Sequence, residues 1–142
     1  MTSDSFDLQR FVDAQEKVYS RVTKELRNGR KDSHWIWYIF PQIDGLGASA
    51  TTKRYSIKSI AEAKAYLDHD VLGPRLCECV NFVLAVEGKS ISQIMGYPDD
   101  LKLCSSMTLF AQVSDNPIFS QVLDKYFSGK SDERTLEIMQ KL

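Results

Sequence analysis

With 142 residues, 43% of them hydrophobic and 26% charged, the chain has enough apolar mass for one core and too little length for two independent domains. A net charge of −1 excludes a protein that coats nucleic acid or membrane nonspecifically. The longest uninterrupted apolar run, Trp35 to Phe40, is far shorter than the roughly 20 residues of a membrane-spanning helix, and Met1 to Asp7 lacks the basic and apolar regions of a signal peptide, so a cytoplasmic protein is expected.

From Asp7 to Asn28 the residues Leu8, Phe11, Val12, Val18, Tyr19, Val22 and Leu26 fall on one arc at 100° per residue, which predicts a long amphipathic helix stopped by Gly29. Gln15 lies near the centre of that arc. An amide there needs hydrogen-bond partners, either from neighbouring backbone or from a ligand. Arg10, Lys17, Arg21 and Lys24 lie roughly opposite the arc, as a solvated face would. The window from Lys17 to Lys31 holds six basic residues against one acid, Glu25, and Arg27, Arg30 and Lys31 at its end lead straight into Asp32-Ser33-His34-Trp35-Ile36-Trp37-Tyr38. Cations next to aromatic faces can hold phosphate and stack a base.

The block His34 to Phe40 is apolar on every side, so its period fits either strand or helix, and Pro41 ends it. His34 can serve as a general acid or base near neutral pH or simply pack and hydrogen-bond. Trp35, Trp37 and Phe40 have the same two readings, core packing or ligand stacking. Gln42 to Thr52, with two glycines and small polar residues, reads as a loop that lets a ligand approach.

Ser59-x-x-Glu62 and Ser90-x-x-Gln93 are capping boxes that open helices, the first running to about Asp68 and the second ended by Gly96. Between them a helix begins near Gly73-Pro74 and carries Leu72, Leu76, Val80, Val83 and Leu84 at helical spacing. Cys77 and Cys79 on it point to nearly opposite sides, so with Cys104 they read as free, apolar-packed thiols, and no metal site is assigned. Pro98 opens a helix over about Asp99 to Val113 that is apolar around most of its circumference and therefore central. On it Asp99, Lys102 and Ser106 share one side, as a local ion pair with a cap or as an anion or sugar site, and Ser105, Ser106 and Thr108 can bond phosphate. Asn116-Pro117 starts the next helix, to about Phe127, and Ser131 the last. No segment alternates as a strand would. The fold expected is all-α, a single domain over residues 1–142 built as an irregular bundle of about seven helices.

No phosphate-binding Walker loop, dinucleotide glycine fingerprint or zinc-protease helix motif occurs, and no cofactor is implied. The segments Phe6-Asp7-Leu8-x-Arg10-Phe11-Val12-x-Ala14-Gln15, Leu26-Arg27-x-Gly29-Arg30-Lys31-x-Ser33-His34-Trp35-x-Trp37-Tyr38-Ile39-Phe40-Pro41-Gln42, Leu72-Gly73-Pro74-Arg75-Leu76 and Asp100-x-Lys102-Leu103-x-Ser105-Ser106-Met107-Thr108-Leu109-Phe110 closely resemble the family of unknown function numbered 1810. The resemblance implies an all-helical fold, and so a helical reading of His34 to Phe40. It implies no mechanism. Some members of that family carry the label calpastatin, which ill suits a chain this hydrophobic. More loosely, the helical make-up is similar to the NADAR group of N-glycosidases that act on ADP-ribose or ribose-phosphate adducts.

These readings lead to one expected site. Gln15, Arg27, Arg30, Lys31, Ser33, His34, Trp35, Trp37 and Gln42 meet Lys102, Ser105 and Ser106 around a cleft for a nucleotide or ADP-ribose-like phosphorylated molecule, with Asp99, Asp100 or Glu62 as candidate acids should a glycosidic bond be cut. The alternative is a noncatalytic adaptor whose basic first helix docks an acidic protein or nucleic acid. The oligomeric state is left open.

Overall fold

The N-terminal apolar stripe folds as two helices, not as the single helix expected over residues 7–28. The computed structural model describes residues 4–142; residues 1–3, part of the stretch read for a leader, lie outside the described residues. Helix α1 (Gln9–Glu16) ends at Lys17, and α2 (Tyr19–Arg27) begins after Val18, whose φ of −125° and ψ of −8° break the helical path. Packing explains the break. Helix α1 lies against the one-turn α3 (Ile36–Ile39), whereas α2 lies against α6 (Leu72–Ala85), and the bend lets one stripe meet both partners. Gly29, at a φ of +68°, ends α2 as expected, with its N–H on the Leu26 carbonyl.

The loop expected over residues 42–52 ends early. Ser49 accepts a hydrogen bond from the Thr52 N–H and opens α4 (Ala50–Tyr55), a helix with no apolar stripe to announce it. An isolated parallel bridge joins Ile43 to Ile57 and pins the start of this loop; no strand occurs among the described residues. Helix α5 (Ile60–Asp68) is capped by Ser59 as expected, but the Glu62 carboxylate does not complete the box. Its Oε1 accepts from the Lys58 N–H at 2.9 Å and its Oε2 pairs with Arg10. Arg10 is thereby corrected from solvated to buried, because residues 54–62 cover that face of α1 and offer it a carboxylate and two carbonyls.

The end of α5 and the start of α6 touch backbone to backbone. A Cβ on Gly73 would lie 2.1 Å from the Leu67 carbonyl oxygen, so only glycine allows that approach. Helix α7 (Ile91–Met95) carries the full capping box of Ser90 and Gln93. Helix α8 (Asp99–Val113) has the expected bounds and the expected central place, packing against α3, α5, α7, α9 (Ile118–Tyr126) and α10 (Glu133–Gln140). The cap of α10 is Asp132, one residue beyond the expected Ser131. Ten helices thus stand among the described residues where about seven were expected, the excess coming from the split first helix and the short α3 and α4.

One buried cluster runs through the molecule, with Phe11, Tyr66, Phe110 and Phe119 in contact from ring to ring at centroid separations of 5.1, 5.6 and 5.7 Å. Among the described residues no helix is long and apolar enough to cross a membrane.

Candidate functional site

Helix α8 begins at Pro98 with its first two turns half out of the core, and this is where polar side chains meet a hollow. A cleft of about 350 Å³ opens there. Pro98, Leu101, Lys102, Cys104 and Ser105 form its α8 wall; Gln42, Leu46 and Gly47 come from the glycine-bearing loop and Thr52 from α4; Phe127, Asp132 and Arg134 come from the end of α9 and the start of α10. The loop fits closely: a Cβ on Gly47 would lie 2.8 Å from Thr52 Cγ2. Arg134 reaches across to the Gly45 carbonyl at 3.4 Å, which ties the α10 wall to the loop.

Lys102 is held in place from two sides. Its Nζ lies 3.4 Å from Asp99 Oδ1 and 5.0 Å from the centre of the Trp37 ring, an ion pair and a cation–π contact on one ammonium. The other oxygen of Asp99 takes Lys31 at 2.7 Å, and Lys31, only 4% exposed, lies over Trp35 and donates to the Ser33 carbonyl. Trp35 in turn donates its indole N–H to Glu25 Oε1 at 3.0 Å, and the same carboxylate accepts from the Asp32 N–H, the Ser33 N–H and the Ser33 hydroxyl. A continuous set of contacts therefore runs from α2 through Glu25, Trp35, Lys31 and Asp99 to Lys102 at the cleft. Burial raises the Glu25 carboxyl's proton affinity, but the hydrogen bonds from Ser33, Asp32 and Trp35 together outweigh it and leave the pKa below the usual 4.5.

Asp132 is braced as firmly. Its Oδ2 accepts from Ser105 Oγ at 3.1 Å and from both the N–H and the hydroxyl of Thr135, and its own N–H donates to Thr108 Oγ1 at 2.8 Å. Cys104 beside it is no nucleophile at neutral pH, since burial, and after it the Asp132 charge, push its thiol up to about 11.

Of the residues expected at one site, the structure brings Gln42, Lys102 and Ser105 to the cleft and sets Lys31, Ser33, Trp35 and Trp37 behind Lys102 as its support. Gln15 is elsewhere: it is buried, donates to the Tyr38 carbonyl at 2.7 Å and to Tyr66 Oη, and accepts from Arg75. Arg27 and Arg30 are exposed, the first over Phe82 and the second paired with Asp32, and His34 is exposed as well. Ser106 is fully buried on α8, and its Oγ, like Trp37 Nε1, has no hydrogen-bond partner among the described residues. The candidate acids are all engaged by protein donors: Glu62 by Arg10, Asp99 by two lysines, Asp100 by Ser92 Oγ at 2.8 Å. Thr52, Asp132 and Arg134 were not foreseen. Asp132 and Thr135 have the spacing of a helix cap, but nothing local in the chain ties that cap to Lys102.

The chain matches, over residues 5–139, the family described as "Protein of unknown function (DUF1810)". It is 56% identical to the conserved hypothetical protein Rv1873 from Mycobacterium tuberculosis, whose crystal structure it matches with a TM-score of 0.96 over 96% of this chain and 99% of that one. No curated protein matches it. Neither match names the NADAR group or a calpastatin, and the family match, which covers nearly the whole chain, shows that the chain belongs to the DUF1810 family.

Proposed function

We propose that the cleft at the head of α8 binds a phosphorylated small molecule of nucleotide or ADP-ribose-like type. The observation that carries this reading is the pair of cations, Lys102 and Arg134, lining one hollow of a few hundred cubic ångström together with the hydroxyl of Thr52 and the amide of Gln42. Lys102 reaches the hollow already oriented by Asp99 and Trp37, so little side-chain freedom is lost on binding. Leu46, Leu101 and Phe127 supply apolar surface for a ring.

Binding is better supported than catalysis. Asp132 is the carboxylate among the lining residues, and Asp99, Asp100 and Glu62 are each engaged elsewhere, so an N-glycosidase step would fall to Asp132.

The test is a thermal-shift and calorimetric screen of nucleoside monophosphates, ADP-ribose and sugar phosphates against the wild type and Lys102→Ala. At least one ligand is expected to stabilise the wild type, with affinity falling about tenfold in the variant, the loss of one charge-assisted contact. Asp99 keeps Lys31 as partner, so the variant is expected to melt within a few degrees of the wild type. No ligand distinguishing the two proteins would end the reading. A second reading rests on Lys17, Arg21 and Lys24, which are exposed and could dock an acidic protein or nucleic acid. That binding would weaken steeply with added salt, whereas the cleft's would be less sensitive.

A further inference from the structure

A carboxylate inside a site for anions is an apparent contradiction, and it is informative. Asp132 lines the same cleft as Lys102 and Arg134, where its charge opposes a phosphate. As a helix cap, Asn or Ser serves about as well as Asp, and beyond the cap the charge gains only its attraction to the dipole of the short α10. The three protein donors to this side chain, from Ser105 and Thr135, all end on Oδ2, which leaves Oδ1 as the acceptor available to a bound molecule. Ser105 Oγ stands 3.1 Å from Oδ2 and 3.2 Å from the Leu101 carbonyl, so its single proton is taken by the protein and its lone pairs remain as a second acceptor. The lining therefore offers two kinds of polar group, donors on Lys102 and Arg134 and acceptors on Asp132 and Ser105.

We infer that the ligand is a phosphorylated sugar rather than a bare anion, and that Asp132 selects it by accepting hydrogen bonds from sugar hydroxyls while Lys102 and Arg134 hold the phosphate. A carboxylate that accepts from a ligand hydroxyl discriminates strongly, because a molecule without the hydroxyl leaves a desolvated charge unpaired. This inference rests on the phosphate-binding reading above.

Asp132→Asn separates the two. Its amide oxygen must take the Oδ2 place, where an N–H and two hydroxyls already point, so its NH₂ takes the place of Oδ1 and turns an acceptor into a donor. The cap survives, so the fold is retained. Calorimetry with ribose 5-phosphate and with inorganic phosphate on wild type, Asp132→Asn and Lys102→Ala reads the outcome. The wild type is expected to prefer the sugar phosphate at least about tenfold. In Asp132→Asn the sugar phosphate weakens about tenfold while inorganic phosphate binds as well or better, so the preference disappears; in Lys102→Ala both weaken together. An unchanged preference in Asp132→Asn overturns the role of Asp132 while leaving the phosphate site standing. Failure of the wild type to bind either probe overturns the phosphate-binding reading and this inference with it.

Discussion

Arg10→Ala is expected to cost about 3–5 kcal/mol of folding stability, the range for stripping one partner from a buried ion pair. The guanidinium is 8% exposed and makes five hydrogen bonds: to Glu62 Oε2 at 2.7 Å and to the carbonyls of Phe6, Asp7, Arg54 and Ser56. It joins the N-terminal turn, the end of α4 and the start of α5 through one side chain. Without it the Glu62 carboxylate, 2% exposed, keeps only the Lys58 N–H as partner at a cost no local rearrangement removes. Arg10→Lys is expected to rescue little, since one ammonium with three donors cannot reproduce a planar fork of five. The double variant Arg10→Met, Glu62→Leu cancels the unpaired charge but leaves the carbonyls of Phe6, Arg54 and Ser56 without their donor, so about half of the loss is expected to persist. Urea denaturation of the three variants measures this. A loss below about 1 kcal/mol in Arg10→Ala would mean that water reaches these groups and that the cluster does not hold these three segments together.

The same residue marks a limit of what periodicity can tell. A helical wheel places Arg10 with Lys17, Arg21 and Lys24, and the last three are indeed exposed. Arg10 differs only because a segment 44 to 52 residues further on folds over it, and a wheel contains no information about that segment. The long α8, by contrast, was readable to its bounds, because Pro98 at its start and an all-round apolar composition are local signals. Half of the cleft was legible for the same reason: Gln42, Lys102 and Ser105 lie in segments whose composition invites a ligand. The other half, Asp132 and Arg134, sits on a short amphipathic helix that resembles any surface helix until its end is docked against α8. Gln15 was correctly placed on the apolar stripe as an amide in need of partners, and it found them in Tyr38, Tyr66 and Arg75 rather than in a ligand.

Glu25 is the second position at which a large effect is expected. It is the lone acid in a strongly basic window, which by charge alone reads as a minor offset, yet its carboxylate collects four hydrogen bonds and fixes the turn from Asp32 to Trp35. Glu25→Ala leaves the buried Trp35 N–H without an acceptor and is expected to cost about 3 kcal/mol. Glu25→Gln keeps an oxygen where Oε1 accepts three donors and can turn its NH₂ toward Ser33 Oγ, so about 1 kcal/mol is expected. Because these bonds hold the folded carboxyl below 4.5, unfolding takes up a proton in acid. The stability contributed by the charge is complete above that value and fades as the pH falls through the lower, folded one. The wild type and Glu25→Gln should therefore differ most at neutral pH and converge as the pH drops below about 4.5, a narrowing readable from denaturation midpoints taken at several pH values. A gap that stayed constant down to strong acid would assign the difference to packing and not to the charge. Trp35 carries Lys31, and Lys31 shares Asp99 with Lys102, so the variants also probe the cleft. Glu25→Ala should weaken phosphate-ligand binding at 25 °C even where the protein remains folded, whereas Glu25→Gln should leave it nearly unchanged.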